Sequence, residues 1–597
     1  MIKSILHLLL VFLFLLLPCL AFAEEPKPTT TDPAPSPSPP TLRPSLRPCS
    51  GQALGRKEEG HGTMEFKAGE IIVKFRQGVS QASVQSVLLA EELEILDQMD
   101  KLGFMLLSVP KGQELEKIEK LKRNHQVEYA EPNHITQIAN AIAVEPHYSL
   151  RAPPDFPPND PYLPNQWSLP MIEAFAAWDV TTGSDRVVIA FVGSGVDLDH
   201  PEFKDKIWTN PGETGTDANG NDKATNGDDD DGNGKIDDVH GWDWANWDAI
   251  PQDDLWLGTY ISSIATAETN NQILIAGVSW GAEIMPIKVM DDRGVSYHWH
   301  LADGITYAAD NGAKIINISS SLRSVIDPQP LQVAINYAHD RGALIVAGSG
   351  DPNPKEPIPP DAYQYPAALD HVVSVAATDR DDGHPDFSTY NDKVDVAAPG
   401  VGVWGVCSPY GYPICTTATT PAAAAHVSGL AALIWSVNPT LTNDEVEGII
   451  KSTAVDLGEP GWDEYFGWGR IDANAAVKAT PHYLEVEIDD PFYFLVCDDG
   501  NPPSREITNP NTNSSTWSAT AIDLWLSISD PEGYTPSAVT VSISKGGLPH
   551  HGVYTAAITA ASTMTSCESC LRMIPVTAVY TKCWRSYLPL LFKEGKN

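Results

Sequence analysis

The strongest indication of chemistry in this sequence is an acidic loop, Asp228-Asp-Asp-Asp-Gly-Asn-Gly-Lys-Ile-Asp-Asp238. Oxygen-bearing groups recur there at every second residue, with Gly234 at the turn, as in the loop of an EF-hand. The predicted ligands are Asp229, Asp231, Asn233, the carbonyl of Lys235, and Asp237. His240 stands where an EF-hand has glutamate, so either the affinity is lower or another carboxylate, such as Asp238, completes the shell. The pattern predicts a Ca²⁺ site, and a solvated acidic loop without metal is the alternative.

A second stretch that bears on chemistry lies at the start of a long apolar helix that we expect to end near Ser436. It reads Thr419-Thr-Pro-Ala-Ala-Ala-Ala-His-Val-Ser-Gly429. Proline fits the first turn, because an N–H there has no intrahelical partner, and Thr420 is a suitable N-cap. The stretch resembles the nucleophile motif of the subtilisin-like serine peptidases, Gly-Thr-Ser-Met-Ala-Ala-Pro-His-Val-Ala-Gly. Pro421 then stands at the position of the nucleophilic serine.

Three further motifs of that family can be matched, and each is altered at its functional residue. Where the family reads Asp-Thr-Gly-Val after the first strand, this sequence reads Gly193-Ser-Gly-Val196. The His-Gly-Thr-His motif corresponds to Leu257-Gly-Thr-Tyr260, and the oxyanion asparagine corresponds to Ser349. The resemblance therefore implies triad-equivalent positions at Gly193, Leu257 and Pro421, none of which carries its catalytic side chain.

Peptide hydrolysis by a serine needs a nucleophile, a histidine base, a carboxylate that orients the histidine and a donor to the oxyanion. Because glycine, leucine and proline cannot replace the first three, we expect that the chain is not an enzyme. It would be a pseudopeptidase that binds an extended peptide or protein in its former substrate cleft. Two alternatives stay open: a serine-type endopeptidase with relocated catalytic residues, and a surface or glycan-binding adhesion protein. The substitutes considered are Ser194, His200, Tyr260, Thr420 and His426.

The elements that would position these residues alternate between short β-branched runs and helical patterns. Strands are predicted at 187–192, 284–289, 314–318, 343–347 and 372–376, and helices near 258–267, 300–311 and 331–341. Near-continuous apolar strands that alternate with helices indicate an α/β fold, a parallel sheet with helices on both faces. This agrees with the subtilisin-like fold that the resemblance implies.

Smaller units flank this α/β domain. An α+β unit with a helix around 84–96 resembles the prodomain of secreted subtilases. Period-two strand patterns at 515–520, 524–529, 539–544 and 552–559 predict an all-β sandwich. The sandwich resembles BACON-type immunoglobulin-like modules, and we favour a spacer role for it over glycan binding. The predicted divisions are signal peptide 1–23, Pro-rich linker 24–65, prodomain-like unit 66–135, linker 136–160, subtilisin-like domain 161–480, sandwich 481–563 and Cys-containing tail 564–597.

Charge and the N-terminal segment limit the partners. The 597 residues carry a formal net charge of -39, which disfavours nucleic acid and anionic membranes as partners. Lys3, an apolar run and small residues up to Ala23 are typical of a secretory signal peptide, with an uncleaved anchor as the alternative. We therefore expect a secreted, extracellular protein with no transmembrane span after signal removal.

Cysteine usage fits that compartment. Cys407 and Cys415 flank a short loop and are the best local pair for a disulfide. Four C-terminal cysteines allow two bridges in any of three pairings: Cys497, Cys567, Cys570 and Cys583. Cys49 is left without an evident partner in the sequence pattern.

Overall fold

The computed structural model describes residues 66–138, 142–143, 158–321, 328–351, 359–407 and 414–481, and C-terminal strands between residues 492 and 581. The predicted signal peptide and Pro-rich linker, most of the second linker and residues 582–597 of the tail lie outside the described residues.

The N-terminal unit is an antiparallel sheet with two helices. Its elements are β1 (Phe66–Phe75), α1 (Gln81–Ala90), β2 (Glu94–Met99), β3 (Phe104–Ser108), α2 (Glu114–Lys122) and β4 (Val127–Ile138). The strands run in the order β4-β1-β3-β2. The prediction of a helix around 84–96 was wrong at the C-terminal end. The helix ends at Ala90, because Glu92 has a φ of 58° and the chain then continues as β2.

The α/β domain follows the predicted alternation of strands and helices. Its elements are β5 (Ile142–Ala143), α3 (Ser168–Met171), α4 (Ala174–Trp178), β6 (Val188–Gly193), β7 (Trp242–Asp243), α5 (Leu257–Thr266), β8 (Glu283–Lys288), β9 (Val295–Tyr297), α6 (His298–Asp310), β10 (Ile315–Ile318), β11 (Ser320–Ser321), α7 (Gln329–Asp340), β12 (Leu344–Gly348), β13 (Val372–Thr378), β14 (Val396–Pro399), β15 (Val401–Gly405), β16 (Cys415–Ala418), α8 (Thr420–Val437), α9 (Asn443–Ser452) and α10 (Ala473–Ala479). Short 3₁₀ turns lie at Leu163–Asn165, Pro201–Phe203, Pro211–Glu213 and Lys223–Thr225.

The main sheet is parallel, in the order β14-β13-β12-β10-β6-β8-β7. Successive residues of β6 point to opposite faces, as strand geometry requires. Ile189 and Phe191 pack in the core that contains α5 and α8, whereas Ala190 and Val192 pack in the core that contains α6 and α7. The predicted α/β fold with helices on both faces is therefore confirmed.

Helix α8 is the central element of one core, with every residue except Ser436 buried. Among the described residues it is the one helix long and apolar enough to cross a membrane, and 94% of it is buried inside the protein. The predicted disulfide between Cys407 and Cys415 is present just before this helix. It ties the segment after β15 to the first residue of β16.

The C-terminal strands form two sheets. They are β17 (Phe492–Cys497), β18 (Ser504–Asn509), β19 (Thr516–Ala521), β20 (Leu526–Ile528), β21 (Glu532–Tyr534), β22 (Ser537–Ile543), β23 (Gly552–Ser562) and β24 (Leu571–Thr581). The strand orders are β17-β24-β23-β19-β21 and β18-β22-β20. Strand β24 lies in the segment predicted as a tail, yet it pairs with both β17 and β23. The predicted C-terminal disulfides lie outside the described residues.

Candidate functional site

A groove of the α/β domain holds a segment of the same chain. Strand β9 follows the carboxyl end of β8, and β11 follows that of β10. Strand β4 of the N-terminal unit pairs antiparallel with both, through residues 135–137 and 137–138. Further along the chain, β5 pairs antiparallel with Thr417 and Ala418 of β16. The groove therefore takes up extended polypeptide by strand addition, at the carboxyl edge where α/β sheets bind ligands.

Polar contacts hold the N-terminal unit against this groove. Oε1 of Glu131 lies 3.2 Å from Nδ1 of the buried His298, the first residue of α6. Oδ1 of Asn133 accepts the backbone N–H of Trp299 at 3.2 Å, and so satisfies an N–H that the first helical turn leaves free. The indole N–H of Trp299 donates to Asp97 at 2.9 Å. These contacts fix the register in which β4 enters the groove.

The three triad-equivalent positions lie at the ends of elements around the groove. Gly193 ends β6, Leu257 begins α5 and is buried, and Pro421 is the second residue of α8. A Cβ on Gly193 would meet the Cβ of Ser319 at 3.5 Å, an ordinary van der Waals distance, so the backbone there accepts a side chain. A Cβ on Gly348 would lie 2.6 Å from the carbonyl carbon of Thr420. The end of β12 can therefore approach α8 only because residue 348 is glycine.

The oxyanion-equivalent residue, Ser349, is already engaged. Its hydroxyl donates to the carbonyl of Thr389 at 3.0 Å, and its backbone N–H donates to the carbonyl of Val375 at 2.8 Å. In this arrangement Ser349 fixes the loop after β12 and directs no donor toward the groove.

The structure adds a carboxyl group that sequence reasoning missed, Asp351. One carboxylate oxygen accepts the N–H of Thr420 at 2.8 Å, and the other accepts the hydroxyl proton of Thr419. The N-cap residue of α8 is Thr419, where Thr420 was predicted, and Asp351 takes over the capping. Burial raises the pKa of Asp351 to about 7, although the hydrogen bonds from Thr419 and Thr420 lower it in part.

This geometry places an ionisable group and a hydroxyl, both buried, directly after the strand that pairs with β5. Thr419 directly follows the residues of β16 that pair with β5. A carboxyl that titrates near neutral pH and contacts a hydroxyl is suited to acid–base chemistry. One feature of the sequence could have identified Asp351 as a candidate. It lies three residues beyond the carboxyl end of a strand of the parallel sheet, where such sheets bind ligands.

The substitutes considered from the sequence are held by backbone groups. Ser194 accepts the N–H of Gly258, and the hydroxyl of Tyr260 donates to the carbonyl of Val403. His200 accepts the N–H of Glu202, Thr420 accepts that of Gly350, and Nδ1 of His426 lies 2.8 Å from the carbonyl of Ala422. Burial lowers the pKa of His426 to about 4, so this histidine stays neutral. Each of the five contributes to the local fold.

The predicted metal ligands in the acidic loop have different surroundings. Asp229 accepts three backbone N–H groups within the loop, and Asp237 accepts the N–H of Gly227. The ammonium of Lys235 lies 3.1 Å from Asp303 and over three indole rings, those of Trp242, Trp244 and Trp247, at 5.2–5.6 Å.

Asp231, by contrast, lies with Asp238, which was considered to complete the shell, and with Glu213, which was not predicted. Oxygens of Glu213, Asp231 and Asp238 lie within 4.8 Å of one another, a group that could hold a metal ion. Asn233 donates from its amide to both Asp231 and Asp238 at 3.0 Å. Burial raises the pKa of Asp238. The acidic segment therefore presents a cluster of carboxylates, with Asp231 as the member that the spacing predicted.

Comparison with known proteins finds a family match for both the α/β domain and the N-terminal unit. Residues 184–469 match the subtilase family, and residues 55–133 match the fervidolysin N-terminal prodomain. Thermitase of Thermoactinomyces vulgaris is 34% identical over 327 residues, which are 54% of this chain and 100% of that protein. The thermophilic serine proteinase of Bacillus sp. (strain AK1) is 30% identical over 420 residues, 70% of this chain and 89% of that protein.

The fold has a counterpart among solved structures. Fervidolysin from Fervidobacterium pennivorans, described as a keratinolytic enzyme related to subtilisin, aligns with a TM-score of 0.55. The alignment covers 88% of this chain and 79% of that one, at 19% sequence identity. This likeness bears on the fold alone.

These relatives overturn the expectation that the chain is not an enzyme. A relative 30% identical over 70% of the chain is named a serine proteinase, and the kinship points to a protease. The expectation was drawn from Gly193, Leu257, Pro421 and Ser349, and the substitutes considered for them did not include Asp351. Thermitase is matched over its whole length at 34% identity, and the chain belongs to the subtilase family.

Proposed function

We propose that this protein is a secreted endopeptidase that binds extended polypeptides in the groove between β9 and β11. Its acid–base chemistry comes from Asp351 and Thr419, in place of a serine triad. The observation that carries the proposal is the buried contact of the Asp351 carboxylate with the Thr419 hydroxyl, one residue beyond β16, the strand that pairs with β5. A substrate strand would reach this contact by taking the place of β5.

The chemistry can be written on these two side chains. Oγ1 of Thr419 attacks the peptide carbonyl carbon while its proton passes to Asp351. Asp351 then returns the proton to the departing amine. A water molecule, deprotonated by Asp351, attacks the acyl carbon, and Asp351 passes that proton to Oγ1 of Thr419 as the acyl–oxygen bond breaks and the acid is released. The N-terminus of the 18-residue helix α8 favours the negative charge that develops beside it. A pKa near 7 suits a group that alternates between base and acid at neutral pH.

The cellular setting follows from the sequence patterns. The signal-like N-terminus supports secretion, and the net charge of -39 supports a protein without a nucleic-acid partner. We keep Ca²⁺ as the bound cation, because the acidic segment offers hard oxygen ligands. For the C-terminal strands we keep the role of a spacer.

Hydrolysis of fluorescently labelled casein tests this function. Wild-type protein should release fluorescence, with kcat/KM rising with pH to a plateau above about 7, because the base must be ionised. D351N and T419A should each lower kcat/KM by about 10² or more, whereas T419S keeps the hydroxyl and should retain activity.

The control D395N changes a partly buried carboxyl that is bonded to Ser374 and Lys451 and precedes β14. It should leave kcat/KM unchanged while reporting any general loss of stability. Wild-type protein without hydrolysis, or hydrolysis that survives both D351N and T419A, would contradict the proposal.

A further inference from the structure

A group of exposed aromatic rings lies on the loop between α9 and α10 and on the segment that precedes β14. Three rings recur at every third residue of the loop, Trp462, Tyr465 and Trp468, with exposed fractions of 39%, 39% and 47%. The ring of Tyr465 stacks on that of Tyr390, with the centroids 4.5 Å apart. Single exposed rings are ordinary on a protein surface, but several in one place are typical of an interaction site. We call these four residues the aromatic face.

The backbone holds the rings of the loop in place. The indole N–H of Trp462 donates to the carbonyl of Val394 at 2.9 Å. The backbone N–H of Trp468 donates to the carbonyl of Asp395 at 2.8 Å, directly before β14 of the main sheet. Between them, Phe466 packs against the buried cluster that contains Val394. A surface that is already ordered loses little conformational entropy when a partner binds.

The charges around the aromatic face are negative. The pKa of Tyr390 is raised, chiefly by desolvation and also by the charges of Asp361 and Glu464. His384 contacts the rings of Tyr390 and Tyr465 edge-on, with centroids 6.0 and 5.3 Å apart. Burial lowers the pKa of His384, so this ring is neutral at pH 7 and adds no positive charge.

The cations in this part of the chain are engaged elsewhere. Between residues 384 and 470 the sequence carries three cations, and each forms an ion pair: Lys393 with Asp370, Lys451 with Asp395 and Arg470 with Asp382. Among the described residues, no Lys or Arg lies over a ring of the aromatic face. The face therefore combines negative charge with electron-rich rings, and both attract a cation.

Another part of the protein shows how such a combination is satisfied. The ammonium of Lys235 lies 5.2–5.6 Å from the ring centroids of three tryptophans and 3.1 Å from Asp303. One of these tryptophans, Trp247, is 48% exposed, and that ammonium already covers its ring. The aromatic face has the same ingredients, exposed rings and carboxylates, but no described lysine covers it.

We propose that the aromatic face binds a lysine- or arginine-rich segment of another polypeptide. The cationic side chains lie over the rings of Tyr465 and Trp468 and pair with the carboxylate of Glu464. Charge complementarity favours this occupant, because the net charge of -39 also attracts basic segments at longer range. The surface goes beyond the proposed function, since binding there needs no hydrolysis.

Binding of a fluorescently labelled octa-D-lysine peptide, which resists hydrolysis, to the full chain tests this surface. Fluorescence anisotropy at about 0.15 M salt gives the Kd while long-range attraction is screened. W468A should raise the Kd about threefold and Y465A/W468A about tenfold, whereas W468F keeps a ring and should stay near the wild-type value. W247A is the matched control, because it removes an equally exposed indole that Lys235 already covers, and it should leave the Kd unchanged.

Two charge variants separate a local site from general attraction to an acidic protein. E464Q should raise the Kd severalfold, whereas E119Q removes an equal charge from the exposed side of α2 and should not. Equal effects of E464Q and E119Q, or a Kd that W468A leaves unchanged, would overturn the proposal. Self-association, or retention on an insoluble glycan, that W468A abolishes while peptide binding is unchanged would also overturn it and assign the face to that occupant.

Discussion

Replacing Asp351 by asparagine should change how the stability of the protein depends on pH. The pKa of this carboxyl rises from an ordinary value of 3.8 to about 7 in the fold, chiefly through burial. The folded state therefore keeps a proton between roughly pH 4 and pH 7 that the unfolded chain has lost, and stability falls as pH rises through that window. At about 1.4 kcal/mol per pKa unit, ionising Asp351 in the fold costs about 4 kcal/mol.

Most of this cost arises between about pH 5 and pH 8, where the single carboxyl should lower the free energy of unfolding by about 3 kcal/mol. D351N has no such group, so the difference in unfolding free energy between D351N and wild type should shift by that amount in favour of the variant. Urea denaturation followed by tryptophan fluorescence at the two pH values measures this difference, and other titrating groups cancel in it. A difference that stays constant would refute the argument that Asp351 is buried and protonated near neutral pH.

Three further predictions concern the groove. The triple variant G193D/L257H/P421S should react with a fluorophosphonate probe, because the backbone at Gly193 accepts a side chain; a folded triple variant without labelling would show that these positions do not converge. G348A should lower the free energy of unfolding by about 1–3 kcal/mol, since its Cβ would lie 2.6 Å from the backbone at the start of α8; urea denaturation with no measurable loss would contradict that contact. E131Q should loosen the N-terminal unit, because it removes the carboxylate that faces a buried histidine; an unchanged rate of limited proteolysis would contradict this.

The main elements of the fold could be predicted because their patterns are local. The run 187–192 is apolar on both faces and forms β6 at Val188–Gly193, and the helix predicted near 258–267 is α5 at Leu257–Thr266. Where the residue pattern fitted more than one element, the backbone conformation determined where the element ends. The helix around 84–96 ends at Ala90, because a left-handed residue, Glu92, interrupts an otherwise helical composition.

The groove residues were harder to predict, because their partners are distant in sequence. Family motifs located Gly193, Leu257, Pro421 and Ser349, but no motif marked Asp351. Its contacts with Thr419 and Thr420 span 68 and 69 residues and exist only once β12 meets α8. A pKa shift caused by burial is likewise a tertiary property that residue types do not encode.

The acidic segment shows the same limit. The spacing of the loop singled out Asp231, but Glu213 lies outside the loop and carries no motif. Only the 3₁₀ turn brings it beside Asp231 and Asp238. Regular spacing identified the segment, and the fold decided which carboxylates face one another.

Incubation of protease-free preparations of wild type and D351N, followed by intact-mass analysis, tests the central claim most directly. The account predicts that wild type cuts its own chain between Ile138 and Ile142, where the groove takes up β4 and β5, and that D351N remains a single chain. Both proteins remaining intact, with no hydrolysis of added casein, would contradict the claim that Asp351 and Thr419 give this subtilase endopeptidase activity.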